Sequence, residues 1–308
     1  MASPSLLILS RNPKLHSTRR LVAAARARRL APRVLDTLRC DLLLERDRPR
    51  LFYRGVEVEP ARVRVVIPRI GASITGYGLS VLNQFDLMGV PVLGGAAAIG
   101  RSRDKLRALQ LMAAAGLSIP RTALCRYRDE VPAAVELVGG LPCIIKLVRG
   151  AQGVGVMIAS TMAEVTGLLD TLWTLGQEIL IQELVKESRG RDVRALVIGD
   201  EVVASMRRTA RKGEFRSNIH RGGAATRLKL PADYARAAVR AARVVGLQVA
   251  GVDLLEARGG PMIMEVNSSP GFEALEKATG LDIAGRYVEQ AVAFAAAARH
   301  RVPPAPTR

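Results

Sequence analysis

Asp253, Glu265 and Asn267 stand in the stretch VAGVDLLEARGGPMIMEVN, where apolar residues surround two acids and an amide. Alternation on either side of Arg258-Gly259-Gly260 predicts a β-hairpin that turns at those three residues. Such a turn sets Asp253 directly across from Glu265. Asn267, two residues on, shares the face of Glu265. Opposed carboxylates among valine, leucine, isoleucine and methionine repel one another, so the pairing calls for a cation. Three oxygen ligands, without sulfur or imidazole, select a hard ion, Mg2+ or Mn2+, over zinc. A register slip of one residue would send one acid to solvent and dissolve the site.

Other segments carry chemistry that suits phosphates. Lys146 sits in the apolar run PCIIKLV. Either an anion such as a phosphate meets its ammonium, or the strand lies at a sheet edge and the side chain snorkels to water. The glycine-rich turn Gly150-Ala151-Gln152-Gly153-Val154-Gly155 follows at once, and backbone without a Cβ can approach phosphates closely. It joins strand to strand and lacks a GK[ST] ending, so it is neither a Walker loop nor a dinucleotide fingerprint; an ordinary hairpin turn has the same composition. Gln182-Glu183-Leu184-Val185 ends a strand ahead of Asp192, an arrangement that can read an adenine edge and hold ribose hydroxyls, or be a plain solvated strand end. FRSNIHRGG concentrates Arg216, Ser217, Asn218, His220 and Arg221 beside two glycines, and cationic forks suit phosphate and carboxylate oxygens.

Composition narrows the class. The chain has 308 residues, 49% of them hydrophobic and 4% aromatic, enough for a large core or two to three lobes of α/β type. A net charge of +18 favours anionic partners, though an arginine-rich solvated face would look the same. Basic residues are not interleaved with aromatics, so specific nucleic-acid binding is not expected. Cys40, Cys125 and Cys143 are widely spaced and odd in number, as reduced thiols of a cytoplasmic protein would be. The histidines, His16, His220 and His300, form no zinc or Ser/His/Asp pattern. No apolar run reaches the length of a membrane span, so no membrane partner is expected. Residues 1–35 hold several arginines and no acid, as a transit peptide does, but read better as a buried strand, LLILS, and a basic amphipathic helix.

The elements that must position these residues alternate. Strand and helix succeed one another through the first hundred residues, implying βαβ units and a largely parallel sheet. Residues 45–60 form a small excursion. A second unit opens with a helix capped by Ser102 and stopped at Gly116. It continues through PCIIKLV, a helix at about 163–175, and EILIQELV. A third unit contains a hairpin turning at Gly199-Asp200, a helix at about 232–245, the acid-bearing hairpin and a final helix at about 283–298. These divisions give domains at 1–98, 99–185 and 186–295, with a disordered tail over 296–308.

In this order, VIPRIG, RSRDKLRALQL, IIKLVRGAQGVGV, QELVKE, RSNIHRGGAA, VAGVDLL and MEVNSSPG resemble the ATP-grasp family. Within it they resemble the RimK-type glutamate ligases, which extend the acidic C-terminus of a small-subunit ribosomal protein. The resemblance spans about residues 5–290. It implies a three-lobed ATP-grasp fold with an N-terminal βαβ pre-ATP-grasp domain, and ATP with two Mg2+ or Mn2+ ions. It implies that Lys105 and Lys146 bind phosphates, Glu183 and Leu184 the adenine, and Asp192 the ribose. Arg216, Ser217 and Asn218 would take the phosphate side, and Asp253, Glu265 and Asn267 the metals. The chemistry implied is attack of a carboxylate on the γ-phosphoryl group, then of an amine on the acyl-phosphate. Lys146 and Arg216 would offset the developing charge, and Arg216 would stabilise the transition state. Glutamate and the acidic ribosomal tail are the implied partners, and a homo-oligomer is compatible. Two alternatives stay open: an ATP-grasp ligase for another amino acid or small acceptor, and a catalytically idle basic ribosome-binding protein.

Overall fold

An all-apolar pentapeptide seeds the first unit. Ser5–Leu9 (β1) is buried along its whole length, which a strand achieves at the centre of a sheet covered on both faces. The computed structural model describes residues 4–148, 155–211, 213–217 and 222–299. After β1 come α1 (His16–Ala27) and β2 (Ala31–Leu35). A side excursion of three short antiparallel strands follows, β3 (Cys40–Leu43), β4 (Arg50–Tyr53) and β5 (Val56–Glu57), and then β6 (Val63–Pro68). Strands β2, β1 and β6 form a parallel sheet in that order. The basic helix α1 belongs to this fold, with Leu21, Ala24 and Ala25 buried.

Two helices, α2 (Thr75–Leu87) and α3 (Gly95–Arg103), lead to α4 (Lys105–Ala114). The expected cap is corrected here. Ser102 lies inside α3, where its hydroxyl donates to the Ile99 carbonyl. Asp104 breaks the two helices apart and caps α4 by accepting from the Arg107 amide at 2.9 Å. The central unit contains β7 (Thr122–Ala123), α5 (Val131–Leu137), β8 (Cys143–Leu147), β9 (Val156–Ala159), α6 (Met162–Thr174) and β10 (Ile179–Glu183). Its sheet is antiparallel, in the order β7-β10-β8-β9. Its core, including Val135, Ile145, Val165 and Ile181, is separate from the two clusters that hold the rest of the molecule.

The last unit comprises β11 (Arg191–Ile198), β12 (Glu201–Thr209), β13 (Ala224–Arg227), α7 (Ala232–Val245), β14 (Val249–Ala257), β15 (Gly260–Asn267), α8 (Glu273–Thr279) and α9 (Ile283–Arg299). Its five strands are antiparallel in the order β13-β12-β11-β14-β15. Helix α7 buries Ala238, Ala241, Ala242 and Val245, at the three-to-four spacing of one helical face, and stops at Gly246 with φ +92°. Helix α9 reaches Arg299, so residues 296–299 are helical and not part of a tail. The remainder of the expected tail lies outside the described residues. No described helix is long and apolar enough to cross a membrane. All three cysteines are free thiols, two of them buried.

The β14–β15 hairpin reaches the expected pairing by an unexpected route. Ala257 pairs with Gly260, so the turn is the two residues Arg258-Gly259 and not three. Continued without interruption, that register would set Asp253 opposite Met264. A β-bulge between Ile263 and Glu265 takes up one residue, and Asp253 pairs with Glu265. Asn267 then faces Gly251. A Cβ at Gly251 would lie 2.8 Å from Pro270 Cβ, so glycine lets the chain leaving β15 fold back over β14. Replacing Gly251 with Ala should cost about 1–3 kcal/mol, as overpacking against an unyielding ring does. Thermal unfolding checks this, and an unchanged midpoint would contradict the close approach.

Candidate active site

Strand order places ionisable residues in a row across the last sheet. Asp192 on β11 pairs with Arg208 on β12, and Arg194 on β11 pairs with Asp253 on β14, which in turn faces Glu265 on β15. Asp253 is 2% exposed. Its carboxylate accepts from Arg194 Nε at 2.7 Å and Nη2 at 2.6 Å, and Arg208 Nη2 lies 3.0 Å away. Arg208 Nε donates to Asp192 at 2.5 Å, and the Ser217 hydroxyl donates to the other Asp192 oxygen. Burial pushes the Asp253 carboxyl up, but Arg194 and Arg208 outweigh it and leave the group below the usual carboxylate range. Asp192 goes the other way: burial raises it, and Arg208 offsets only part of that.

Lys146 approaches from the central sheet. Strand β8 has β10 and β9 on its two sides, so the edge-strand reading does not hold. The side chain is 9% exposed and its ammonium donates to Gln182 Oε1 at 2.5 Å. Burial lowers its pKa to about 8, against the opposing fields of Glu265 and Asp253. Burial also lowers Lys105, and Glu265 again opposes. Two lysines therefore share the field of Glu265.

These groups line one cleft of about 980 Å³, open solvent included. One part is apolar, with Ile144, Val156, Leu184, Leu255 and Met264; the ionic part holds Lys105, Lys146, Asp253 and Glu265. Glu183 and Leu184 are in the wall. Glu183 accepts from the Arg121 amide at 3.2 Å and from its Nε at 3.1 Å, which holds its carboxyl below the usual range. The apolar part suits a purine, and the ionic part suits phosphates.

Most of the sequence-derived residues have a place in this geometry. Lys105, Lys146, Glu183, Leu184, Asp192, Arg216, Ser217, Asp253 and Glu265 line the same cleft. Asn267 follows on β15 with its amide nitrogen 3.5 Å from the Gly251 carbonyl. Asn218 lies outside the described residues, as do His220, Arg221 and Gly150–Val154. Two positions differ in detail from expectation. Both Asp192 oxygens are already bonded, so a ribose would have to share them. Arg216 is held by Glu214, with Nε–Oε1 at 3.0 Å and Nη2–Oε2 at 2.9 Å, and this pairing keeps the Glu214 carboxyl at about 2. Arg194, Arg208 and Phe215 were not singled out from the sequence. Only cross-strand register, which joins Arg194 to a residue 59 positions away, reveals the first of these.

The donor set fits a hard metal ion. Among the described residues no three His, Cys, Asp or Glu side chains gather as a metal cluster. Two facing carboxylates and an amide oxygen leave several positions of a hard ion for phosphate oxygens and water. Asp253 Oδ1 accepts one bond, from Arg194, and keeps a lone pair. An arginine bonded to a metal-binding carboxylate is an orienting contact of the usual outer-sphere type.

Residues 102–291 match the RimK-like ATP-grasp domain, and residues 5–99 the RimK pre-ATP-grasp domain. The chain belongs to the RimK-like ATP-grasp family. It is an ATP-dependent ligase with the ATP-grasp fold and its pre-ATP-grasp N-terminal domain. A Chromohalobacter salexigens protein named "Probable alpha-L-glutamate ligase" is 48% identical over 299 residues, 97% of this chain and 98% of that protein. A Pseudomonas paraeruginosa protein of the same name is 49% identical over 284 residues, 92% of this chain and 94% of its own. Among solved structures, the ATP-grasp ligase PsnB complexed with its minimal precursor aligns with a TM-score of 0.75 at 23% identity, over 95% of this chain and 100% of that one. A RimK domain protein of Sphaerobacter thermophilus aligns at 0.72 and 20% identity, over 94% and 99%.

A RimK-like cleft with this lysine has a pH signature. The lowered pKa means that the Lys146 ammonium is lost as pH rises through about 8. A phosphate favours the ammonium, so nucleotide binding above that pH should take up a proton. Affinity should then fall by up to about tenfold per pH unit. Calorimetry at pH 8–9 in buffers of different ionisation enthalpy measures the uptake. It should vanish in Lys146→Met, and a wild type without uptake contradicts the assignment.

Proposed function

We propose that this enzyme adds glutamate, through its amino group, to a carboxylate at the end of an acidic acceptor, by way of an acyl-phosphate. The acceptor is the C-terminus of a small-subunit ribosomal protein, and free glutamate chains are a second product of the same chemistry. The observation that carries the reading is the convergence on one cleft of a buried ammonium, Lys146, and the facing carboxylates Asp253 and Glu265. The relatives' name supports glutamate. The net charge of +18 supports an acceptor that gains negative charge with each addition.

In this reading the apolar part of the cleft takes the adenine, beside Glu183 and Leu184, and Asp192 meets the ribose. Lys105 and Lys146 neutralise phosphate oxygens, and Ser217, Asn218 and Arg216 guard the phosphate side. Asp253, Glu265 and Asn267 hold two divalent ions. A solved PsnB complex contains Mg and ADP, and Mg2+, or Mn2+ with the same oxygen preference, is carried over here. Such ions, when bound, offset charge on a transferring phosphoryl group. Arg194 and Arg208 keep Asp253 ionised and oriented. Arg216 exchanges Glu214 for the reacting phosphoryl group, so its contact strengthens as charge develops. No side-chain nucleophile is required. The cytoplasm, where ATP and ribosomes are found, is the expected compartment.

Incubation with ATP, Mg2+, glutamate and a peptide ending in acidic residues should yield products heavier by successive glutamyl units in mass spectrometry. Other amino acids serve as controls. Products with a different amino acid only would overturn the glutamate assignment, and ADP formation without any ligated product would overturn the acceptor. Arg216→Ala should lower kcat at least about tenfold while nucleotide affinity falls much less. A kcat equal to wild type would remove Arg216 from the transition state.

A further inference from the structure

Beyond the ionic end of the cleft lies a second group of polar atoms that the nucleotide reading does not use. Arg69 Nη1, Arg103 Nε, Ser268 Oγ and Ser269 Oγ are buried without a hydrogen-bond partner among the described residues. They belong to one place in the fold. Arg69 follows directly on β6, and its Nη2 donates to the Pro270 carbonyl at 2.9 Å and to Ser17 Oγ at 3.3 Å. Its guanidinium lies 5.9 Å from the centre of the Phe272 ring. Arg103 ends α3, donates Nη2 to the Ile70 carbonyl, and lies close enough to Glu265 and Arg69 to feel both charges. Ser268 and Ser269 are the two residues between the metal-side Asn267 and the Pro270 that Arg69 grips. Ser268 is 6% exposed.

Unmade hydrogen bonds of this kind cost about 1–3 kcal/mol each. Two neighbouring guanidinium groups add repulsion. Glu265, whose charge reaches Arg103, already stands in the fields of Lys105 and Lys146, and the Tyr287 hydroxyl is within hydrogen-bond reach of Arg69. The unmet groups are two guanidinium N–H donors and two hydroxyls, the complement of a forked anion. The place is the carboxyl end of the parallel sheet, the usual crevice for ligands in such sheets. It also adjoins Glu265 and Asn267.

We infer that Arg69, Arg103, Ser268 and Ser269 form a carboxylate site for the ligase's own substrates, between the N-terminal unit and the turn that follows β15. The inference rests on the ligase reading above and assigns to that reaction a substrate pocket. Two carboxylates have the required chemistry: one carried by the incoming glutamate, and the terminal one of the acceptor. Held there, either lies beside the phosphoryl end of the cleft, where transfer or amide formation takes place.

The test uses the full chain and the double variant Ser268→Ala/Ser269→Ala, with Arg103→Lys as a second variant that keeps the charge but loses the fork. Arg69 is avoided because its bonds to Pro270 and Ser17 also join the units. Calorimetry with glutamate and with an acidic-tailed peptide, on protein loaded with a non-hydrolysable ATP analogue, reads binding without turnover. Steady-state kinetics give KM for each substrate. Both variants should weaken one carboxylate ligand about tenfold or more, with affinity for the ATP analogue changed by less than about twofold. Loss confined to glutamate assigns the pocket to the incoming amino acid, and loss confined to the peptide assigns it to the acceptor. Unchanged affinity and KM for both, or a wild type that binds neither, overturns the pocket. A wild type that binds the carboxylates and loses them in the variants, yet makes no ligated product, upholds the pocket and overturns the ligase reading instead.

Discussion

Two carboxylates face one another inside a β-hairpin, and the layout of the cleft follows from offsetting their mutual repulsion. Their neutralisation is divided. Asp253 is matched within its own sheet, by arginines on the next two strands, in bonds of 2.6–3.0 Å. Glu265 is matched from outside the sheet, by the fields of Lys105, Lys146 and Arg103. The first arrangement fixes a side chain in place. The second leaves negative charge on one side of a space and positive charge on the other, which an ion and a phosphate chain can enter together. Removing one partner of such a buried pair typically costs about 3–5 kcal/mol, because the other charge is left stranded.

The lysines show the same logic from the opposite sign. An ammonium on a central strand of an apolar sheet is expensive, and Lys146 relieves only part of the expense through Gln182. Its lowered proton affinity records the unrelieved remainder. Anionic oxygens placed beside the ammonium would offset that remainder. Arg216 is treated differently: it is exposed enough to be satisfied by Glu214, an anion from its own loop. The cleft therefore leaves Lys146 partly uncompensated and occupies Arg216 with a local carboxylate.

Packing divides the molecule so that these charges can meet. The central antiparallel sheet has a hydrophobic core of its own, whereas helices α3, α4 and α7 and the last sheet share one with the N-terminal unit. Lys146 thus belongs to a sheet with an apolar core of its own, while Leu180, paired with it on β10, packs into the core shared with the sheet that carries Asp253 and Glu265. The carboxyl end of the parallel sheet, the turn after β15 and the end of α3 meet at one junction. The unpartnered donors of Arg69, Arg103, Ser268 and Ser269 gather at that junction.

Much of this was legible in residue order. Alternation of apolar and polar residues marks the β14–β15 hairpin and the facing of Asp253 and Glu265, because strand periodicity is a local property. The apolar setting of Lys146 is local too, but whether its strand is central or at an edge is not, and only the sheet order decided it. Local pattern also misplaced the helix cap, since Ser102 and Asp104 are both good caps and packing of α3 against α4 chooses between them. The bulge at Met264 left no mark in the alternation. It nevertheless kept Glu265 opposite Asp253 when the turn proved one residue shorter. Arg194 and Arg208 could be assigned only once β11 was known to lie between β12 and β14. A salt bridge between residues 59 positions apart depends on strand order and register, and these are set by burial of whole sheet faces rather than by any short run of sequence.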